Sequence, residues 1–292
     1  MTVMTFFYFF YGVLFLLTGV CIGSFMNVII YRLPLMMTGS GEEGETFSLA
    51  WPPSHCPVCQ NRIRFYDNIP VISWLLLRGK CRYCRTAISG LYPVTEAVTG
   101  LWFIIVYFFL AEPSVMVLTS GEMLRFLPPL VLFCLLYCIT VTDFRHFLIP
   151  DVLSLGMLWA GLVFSVFHLI PVSPFQAVTG CVLTYCLILG IRKGYQAFRQ
   201  HEGLGGGDVK LFAAAAAWLG LSQVPWLIVL SAVCGVLLYG VQRYCQKSIG
   251  EKSRQLVSDL EAAGDTVPCG ALYVPFGPAI VLATLILFFI RI

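Results

Sequence analysis

Two sets of residues in this 292-residue chain have the types and spacing to do chemistry. The first is a cysteine tetrad. Cys56 and Cys59 form one C-x-x-C pair, Cys81 and Cys84 form another, and 21 residues separate the pairs. Two such pairs at this distance signal a tetrahedral four-thiolate zinc site. Thiolates select a soft or borderline metal, and Zn2+ fits without redox chemistry. A closed four-cysteine set leaves no open coordination position. The metal would therefore be structural, holding a loop too small to build its own core. Two disulfides and four free thiols are the competing readings. The second set is a pair of carboxylates. Asp143 directly follows an apolar run, and Asp208 ends Gly205-Gly206-Gly207-Asp208 and opens another. Ionisable residues at such positions are functional candidates. Two neighbouring carboxylates cannot both ionise easily. They share a proton, and together they activate a water and protonate a leaving group. Gly205 and Gly207 would permit an unusual backbone and close approach of a substrate strand. With Lys210 they are the candidate substrate contacts. Taken singly, a helix N-cap explains Asp208 and a solvated loop end explains Asp143. Asp151 reads as an N-cap after Pro150 or a supporting group, and His146 as interfacial.

These residues need elements to hold them, and composition says which kind. The chain is 59% hydrophobic and 11% charged, with mean hydropathy +0.86. Soluble domains carry about 25% charged residues. An all-α integral membrane protein follows. Eight apolar runs are long enough, or nearly so, to span. They fall at 6–30, 94–111, 126–142, 150–170, 175–191, 208–222, 225–242 and 272–290. The sixth is short and rich in small residues, Ala213 to Ala217, which suit close helix packing. The N-terminal run lacks a basic flank and is too long for a cleavable signal, so it reads as the first span. Placing the N-terminus outside puts 16 of the 18 Lys and Arg in cytoplasmic loops; only Arg125 and Arg291 fall outside. The cysteine loop then lies in a reducing compartment, which disfavours disulfides. The division expected is a first span at 1–30, a cytoplasmic zinc-binding insert at 31–93, and a seven-helix catalytic domain at 94–292. Within the insert, Thr38 to Thr46 reads as a polar loop. Gln246 to Asp265 reads as a connector or a short amphipathic helix. The remaining eight cysteines read as packing residues. No repeat of fixed period is visible. The net charge of +3 suggests no nucleic-acid partner.

Specific motifs run through most of the chain. They are Gly23-Ser24-Phe25-Met26-Asn27-Val28 through Arg32-Leu33-Pro34, Asn68-Ile69-Pro70, and Arg78-Gly79-Lys80-Cys81. Tyr92-Pro93 and Glu96 follow, then Ile149-Pro150-Asp151, then Gly205-Gly206-Gly207-Asp208-Val209-Lys210-Leu211 and Pro275-Phe276-Gly277-Pro278. Together they resemble the type IV prepilin peptidases, although Gly-x-Gly-Asp alone is shared with presenilin-like proteases. The resemblance implies catalytic aspartates at Asp143 and Asp208 and zinc ligands at Cys56, Cys59, Cys81 and Cys84. It implies prepilin and pseudopilin substrates, cut after a glycine at the cytoplasmic face of a bacterial inner membrane. Many members also methylate the new N-terminus with S-adenosylmethionine, and that cofactor rests on the resemblance alone. One departure is Arg145, where many members carry a second acid. Helix ends would favour ionised Asp208 as the base and protonated Asp143 as the acid. Two other classes remain open: a proton-coupled transporter using the same acids, and a zinc-bearing scaffold of pilus or secretion machinery.

Overall fold

The computed structural model describes residues 2–38, 48–111, 120–199, 204–260 and 275–291. Among them are helices α1 (Thr2–Thr38), α2 (Ile72–Leu76), α3 (Leu91–Leu110), α4 (Ser120–His146) and α5 (Asp151–Val166). Next come α6 (Pro174–Arg199), α7 (Gly206–Leu219), α8 (Val224–Leu260) and α9 (Gly277–Arg291). Two 3-10 turns, Phe65–Asn68 and Leu221–Gln223, complete the set, and the described residues hold no named strand. The chain is thus all-helical, and every helix but α2 lies on one of the eight apolar runs. Five of them (α1, α3, α4, α6 and α8) are long and apolar enough to cross a membrane. The other three, α5, α7 and α9, have 16, 14 and 15 residues. At 1.5 Å per residue they are roughly 21–24 Å long, short of a hydrocarbon core of about 30 Å.

Several expected boundaries move. Helix α1 continues past residue 30 and takes in Arg32 and Pro34. Helix α8 runs unbroken to Leu260, so Gln246 to Leu260 extends a span and is not a separate connector. The remainder of that stretch, 261–265, lies outside the described residues. So does the expected polar loop, except that Thr38 closes α1.

Two compact units divide the chain, Met1–Thr142 and Asp143–Ile292. In the first, α1 packs along α3 at backbone distance. A Cβ built on Gly19 would lie 2.9 Å from Gly100 Cα, so small residues are required at this crossing. Beyond it, Phe103, Val106, Tyr107, Phe126 and Leu130 form a buried cluster joined by Tyr8 and Phe15. The Tyr107 hydroxyl donates to the Tyr8 carbonyl at 3.0 Å, which removes its burial cost.

In the second unit, α7 is the core. Val209 and every residue from Leu211 to Leu219 are buried. Ala213 to Ala217 have the packing role expected of them, since their small side chains bring α5, α6 and α9 close to the α7 backbone. Trp218 anchors the far end, donating Nε1–H to the Met157 carbonyl at 2.8 Å. Burial on all sides explains why α7 gave the weakest signal as a span. An Ala-rich helix enclosed by protein needs little hydropathy of its own.

Candidate active site and metal centre

Asp143 lies in the last turn of α4, three residues before its end, and not beyond the helix as the hydropathy suggested. The helix closes at Phe147, whose N–H donates to the Asp143 carbonyl at 2.9 Å. Phe147 takes a left-handed φ of 52°, unusual for a bulky residue. Pro150 then holds Ile149 out of helical conformation and starts α5. The result is a tight turn that directs Ile149 back toward Asp143.

Asp208 sits at the third position of α7, which begins two residues earlier than expected. Its Oδ2 accepts the Gly205 N–H at 3.2 Å. The N-cap role therefore belongs to Gly205, and Asp208 folds back over its own helix start. Asp143 does the same to a different helix: its Oδ2 accepts the Gly277 N–H, the first of α9, at 2.9 Å. Asp208 thus lies at a helix N-terminus alone, while Asp143 lies between the C-terminus of α4 and the N-terminus of α9, whose dipoles oppose each other there.

Three packing facts join the two acids. A Cβ built on Gly207 would lie 2.9 Å from Ile149 Cβ. One on Gly277 would lie 3.3 Å from Ile149 Cδ1 and 2.5 Å from Asp143 Oδ2. Ile149 is therefore wedged between the residue before Asp208 and the residue that holds Asp143. The two carboxylates are near enough for the charge of Asp143 to act on Asp208. Both are buried, 5% and 8% exposed. Asp143, Asp208, Gly205 and Gly207 come together at one place.

Gly205 itself has ordinary extended torsions, φ −64° and ψ 148°, so the unusual backbone expected there is absent. Glycine is required at 207 for contact with Ile149, not for torsion. Lys210 turns away from Asp208. Its Nζ lies 2.6 Å from both carboxylate oxygens of Asp151. Asp151 is the first residue inside α5 after the N-cap Pro150, so it is a partner for Lys210 and not a cap. The pair is half-exposed and adds little stability. Arg145 is exposed on the last turn of α4. Sequence reasoning missed two neighbours. The Gly277 N–H is a backbone group with no signature beyond its motif. The Arg192 guanidinium of α6 would lie 3.2 Å from a Cβ on Gly206, against the α7 N-terminus, and nothing in its sequence context marks it.

The four cysteines converge in the first unit. All four sulfurs lie within 4.8 Å of one another, with Cys56–Cys84 at 3.7 Å and Cys59–Cys81 at 4.0 Å. Zn–S bonds of about 2.3 Å at the tetrahedral angle put sulfurs about 3.8 Å apart. The tetrad therefore fits a metal such as zinc. Two of the four thiols, Cys59 and Cys84, are primed as ligands. The backbone N–H of Asn61 holds the Cys59 thiol below its ordinary range, and the Thr86 hydroxyl and N–H bring Cys84 to about 6.

The two halves are conformational copies offset by 25 residues. Cys56 N–H donates to Asn61 O and Gln60 N–H to Cys56 O; Cys81 N–H donates to Thr86 O and Arg85 N–H to Cys81 O. Gln60 and Arg85 both take left-handed φ, 57° and 59°, and bridges His55–Arg62 and Lys80–Ala87 flank the turns. No sequence repeat announces this, because only the cysteines and the backbone recur. Gly79, before the second pair, takes a left-handed φ of 67°.

Two clamps fix this insert to its helices, and a third bond ties α1 to the first turn of α3. Arg32 of α1 donates to the carbonyls of Ser48, Leu49 and Pro52 at 2.9, 3.2 and 2.6 Å. Asn27 donates to the Tyr92 carbonyl at 3.1 Å. The buried Glu96 carboxylate of α3 accepts the Val71 N–H at 2.7 Å.

Two family models match the chain. The Bacterial Peptidase A24 N-terminal domain covers residues 17–110, and the Type IV leader peptidase family covers 130–240. The chain is 37% identical over 235 residues to the prepilin leader peptidase/N-methyltransferase of Dickeya chrysanthemi, covering 76% of this chain and 79% of that protein. It is 36% identical over 240 residues to the protein of that name from Neisseria gonorrhoeae, covering 77% and 80%. A third relative of that name, from Pectobacterium carotovorum, is 36% identical over 246 residues, covering 78% and 82%. No solved structure matches the chain significantly.

Proposed function

The chain belongs to the type IV leader peptidase family, and from that premise we propose that it is a membrane aspartyl endopeptidase removing leader peptides from prepilins and pseudopilins. The observation that carries this reading is the burial of Asp143 and Asp208 together, with Ile149 wedged between Gly207 and Gly277. In the reaction a water placed between the carboxylates loses a proton to one of them as its oxygen attacks the scissile carbonyl. The other carboxyl donates its proton to the leaving amine. The C–N bond breaks, giving the leader's carboxyl terminus and the pilin's new amino terminus. Low local polarity strengthens both proton transfers. The Gly205 and Gly277 N–H groups hold each carboxylate by Oδ2 and fix its orientation. Gly205, Gly207 and Lys210 are the proposed contacts of the substrate strand, which is cut after the glycine ending its leader.

The names of the relatives support a second step, methylation of the new N-terminus, for which S-adenosylmethionine would supply the methyl group. Cys56, Cys59, Cys81 and Cys84 would hold a structural Zn2+. We assign residues 1–30 to the first span, 31–93 to a cytoplasmic zinc-binding insert and 94–292 to the catalytic helices. The charge bias supports an inner-membrane protein with the insert and both acids at the cytoplasmic face and both termini periplasmic.

The test is incubation of the purified protein with a prepilin, reading the new terminus by mass spectrometry. The reading expects a terminus directly after the leader's glycine, heavier by one methyl group when S-adenosylmethionine is added. An uncut prepilin contradicts the peptidase. A cut but unmethylated product contradicts the second step alone.

A further inference from the structure

The four-cysteine insert exposes an apolar face that the other described residues of its unit leave uncovered. Helix α2 is a single turn and a half, yet Ile72, Leu75 and Leu76 are 54%, 61% and 78% exposed. Spaced i, i+3 and i+4, they share one side of the helix. Ile69, 46% exposed, lies just before that helix, and its carbonyl accepts the Ser73 N–H at 3.1 Å. The Ser73 hydroxyl ties the preceding 3-10 turn in place through the Tyr66 carbonyl at 2.8 Å, and that turn carries Phe65, 87% exposed. Water is a costly neighbour for five such side chains on one small module.

Two observations identify what covers them. The first is depth. Glu96, the sixth residue of the span α3, accepts the Val71 N–H, one residue before α2 begins. The start of α2 is therefore level with the second turn of a membrane-spanning helix, about 7.5 Å along it. The second is charge. Residues 48–90 hold six Lys and Arg (Arg62, Arg64, Arg78, Lys80, Arg82 and Arg85) against one acid, Asp67. Asp67 is itself engaged by Arg82 at 2.8 and 2.5 Å. Apolar side chains at the depth of the membrane edge, on a module whose residues 48–90 are net basic though Glu42, Glu43 and Glu45 precede them, match an anionic lipid surface.

We propose that the segment Phe65–Leu76 seats in the lipid interface beside α3, with Phe65, Ile69, Ile72, Leu75 and Leu76 among the acyl chains and the basic residues at anionic headgroups. The seating restrains the insert against the bilayer from which α1 and α3 emerge. It does not depend on the peptidase reading.

The test uses the full-length protein in nanodiscs of phosphatidylcholine with phosphatidylglycerol. A benzophenone amino acid replaces Phe65 in one variant and Leu76 in another, and photo-adducts are identified by mass spectrometry. Lipid adducts are expected at both positions. Omitting phosphatidylglycerol should lower their yield about five-fold or more. Adding Ile72→Glu with Leu75→Glu should lower the Phe65 adduct about ten-fold. Zinc content of that last variant reports its folding, and the two single-site variants decide the matter without it. Adducts to residues 143–292, adducts to added prepilin, or an absence of lipid adducts at both positions would each overturn the proposal.

Discussion

Asp143 and Asp208 each accept a hydrogen bond from a backbone N–H, one from the start of α9 and one from the start of α7. A backbone donor fixes direction while carrying no net charge, so the pair keeps its capacity to hold a single shared proton. This arrangement leaves no room for a side chain at Gly277, where a methyl would lie 2.5 Å from Asp143 Oδ2. Gly277→Ala should displace that carboxylate by about an ångström and lower kcat on the order of 100-fold, with zinc content unchanged. Wild-type kcat in this variant would show that the contact is not needed. Gly207→Ala should press on Ile149 in the same way, 2.9 Å from its Cβ. Removing the neighbour's Cβ with Ile149→Gly should restore part of the loss, and a double-mutant cycle should give coupling on the order of 0.5–3 kcal/mol. Additive losses would separate the two positions. The sequence marked the two acids and the glycines because side-chain type and spacing carry that information. It could not mark the role of Gly277, because a backbone donor looks alike in every residue. Nor could it show that Lys210 would turn to Asp151, since both acids lie within reach of a flexible four-carbon stem.

Each knuckle of the four-cysteine insert bends through a non-glycine residue in left-handed conformation, Gln60 and Arg85. Such torsions cost about 1–3 kcal/mol each and persist where the surroundings over-determine them. Four converging thiolates on one metal would supply that constraint. Cys56→Ser should reduce bound zinc from about one per chain, measured on gently extracted protein, because the remaining three thiolates leave an open site. Equal zinc in the variant and the parent would place the metal elsewhere. The tetrad was legible from spacing alone. The ends of α1 and α8 were not, because hydropathy reports where the apolar run stops and a helix can continue into polar sequence. The short α7 was faint for the opposite reason: enclosed by α5, α6 and α9, it is built for close approach and not for lipid.

At the scale of the molecule, five helices have the length and composition to cross a membrane, and orientation rests on the distribution of Lys and Arg. A reporter active only in the periplasm should be silent when inserted within residues 31–93 and active when fused after the last residue. The reverse pattern would invert the topology and move both acids to the other face. The eight helical segments were legible from their apolar runs. The division into units 1–142 and 143–292 was not, because it depends on which helices pack together and falls inside the continuous helix α4. Asp143 opens the second unit and so shares it with Asp208 and Gly277. The central claim is that these two acids form one catalytic site, and it is tested most directly by prepilin cleavage with Asp143→Asn and Asp208→Asn. Each variant should insert normally, hold as much zinc as the parent and leave the prepilin uncut. Substantial cleavage by either one would contradict the dyad.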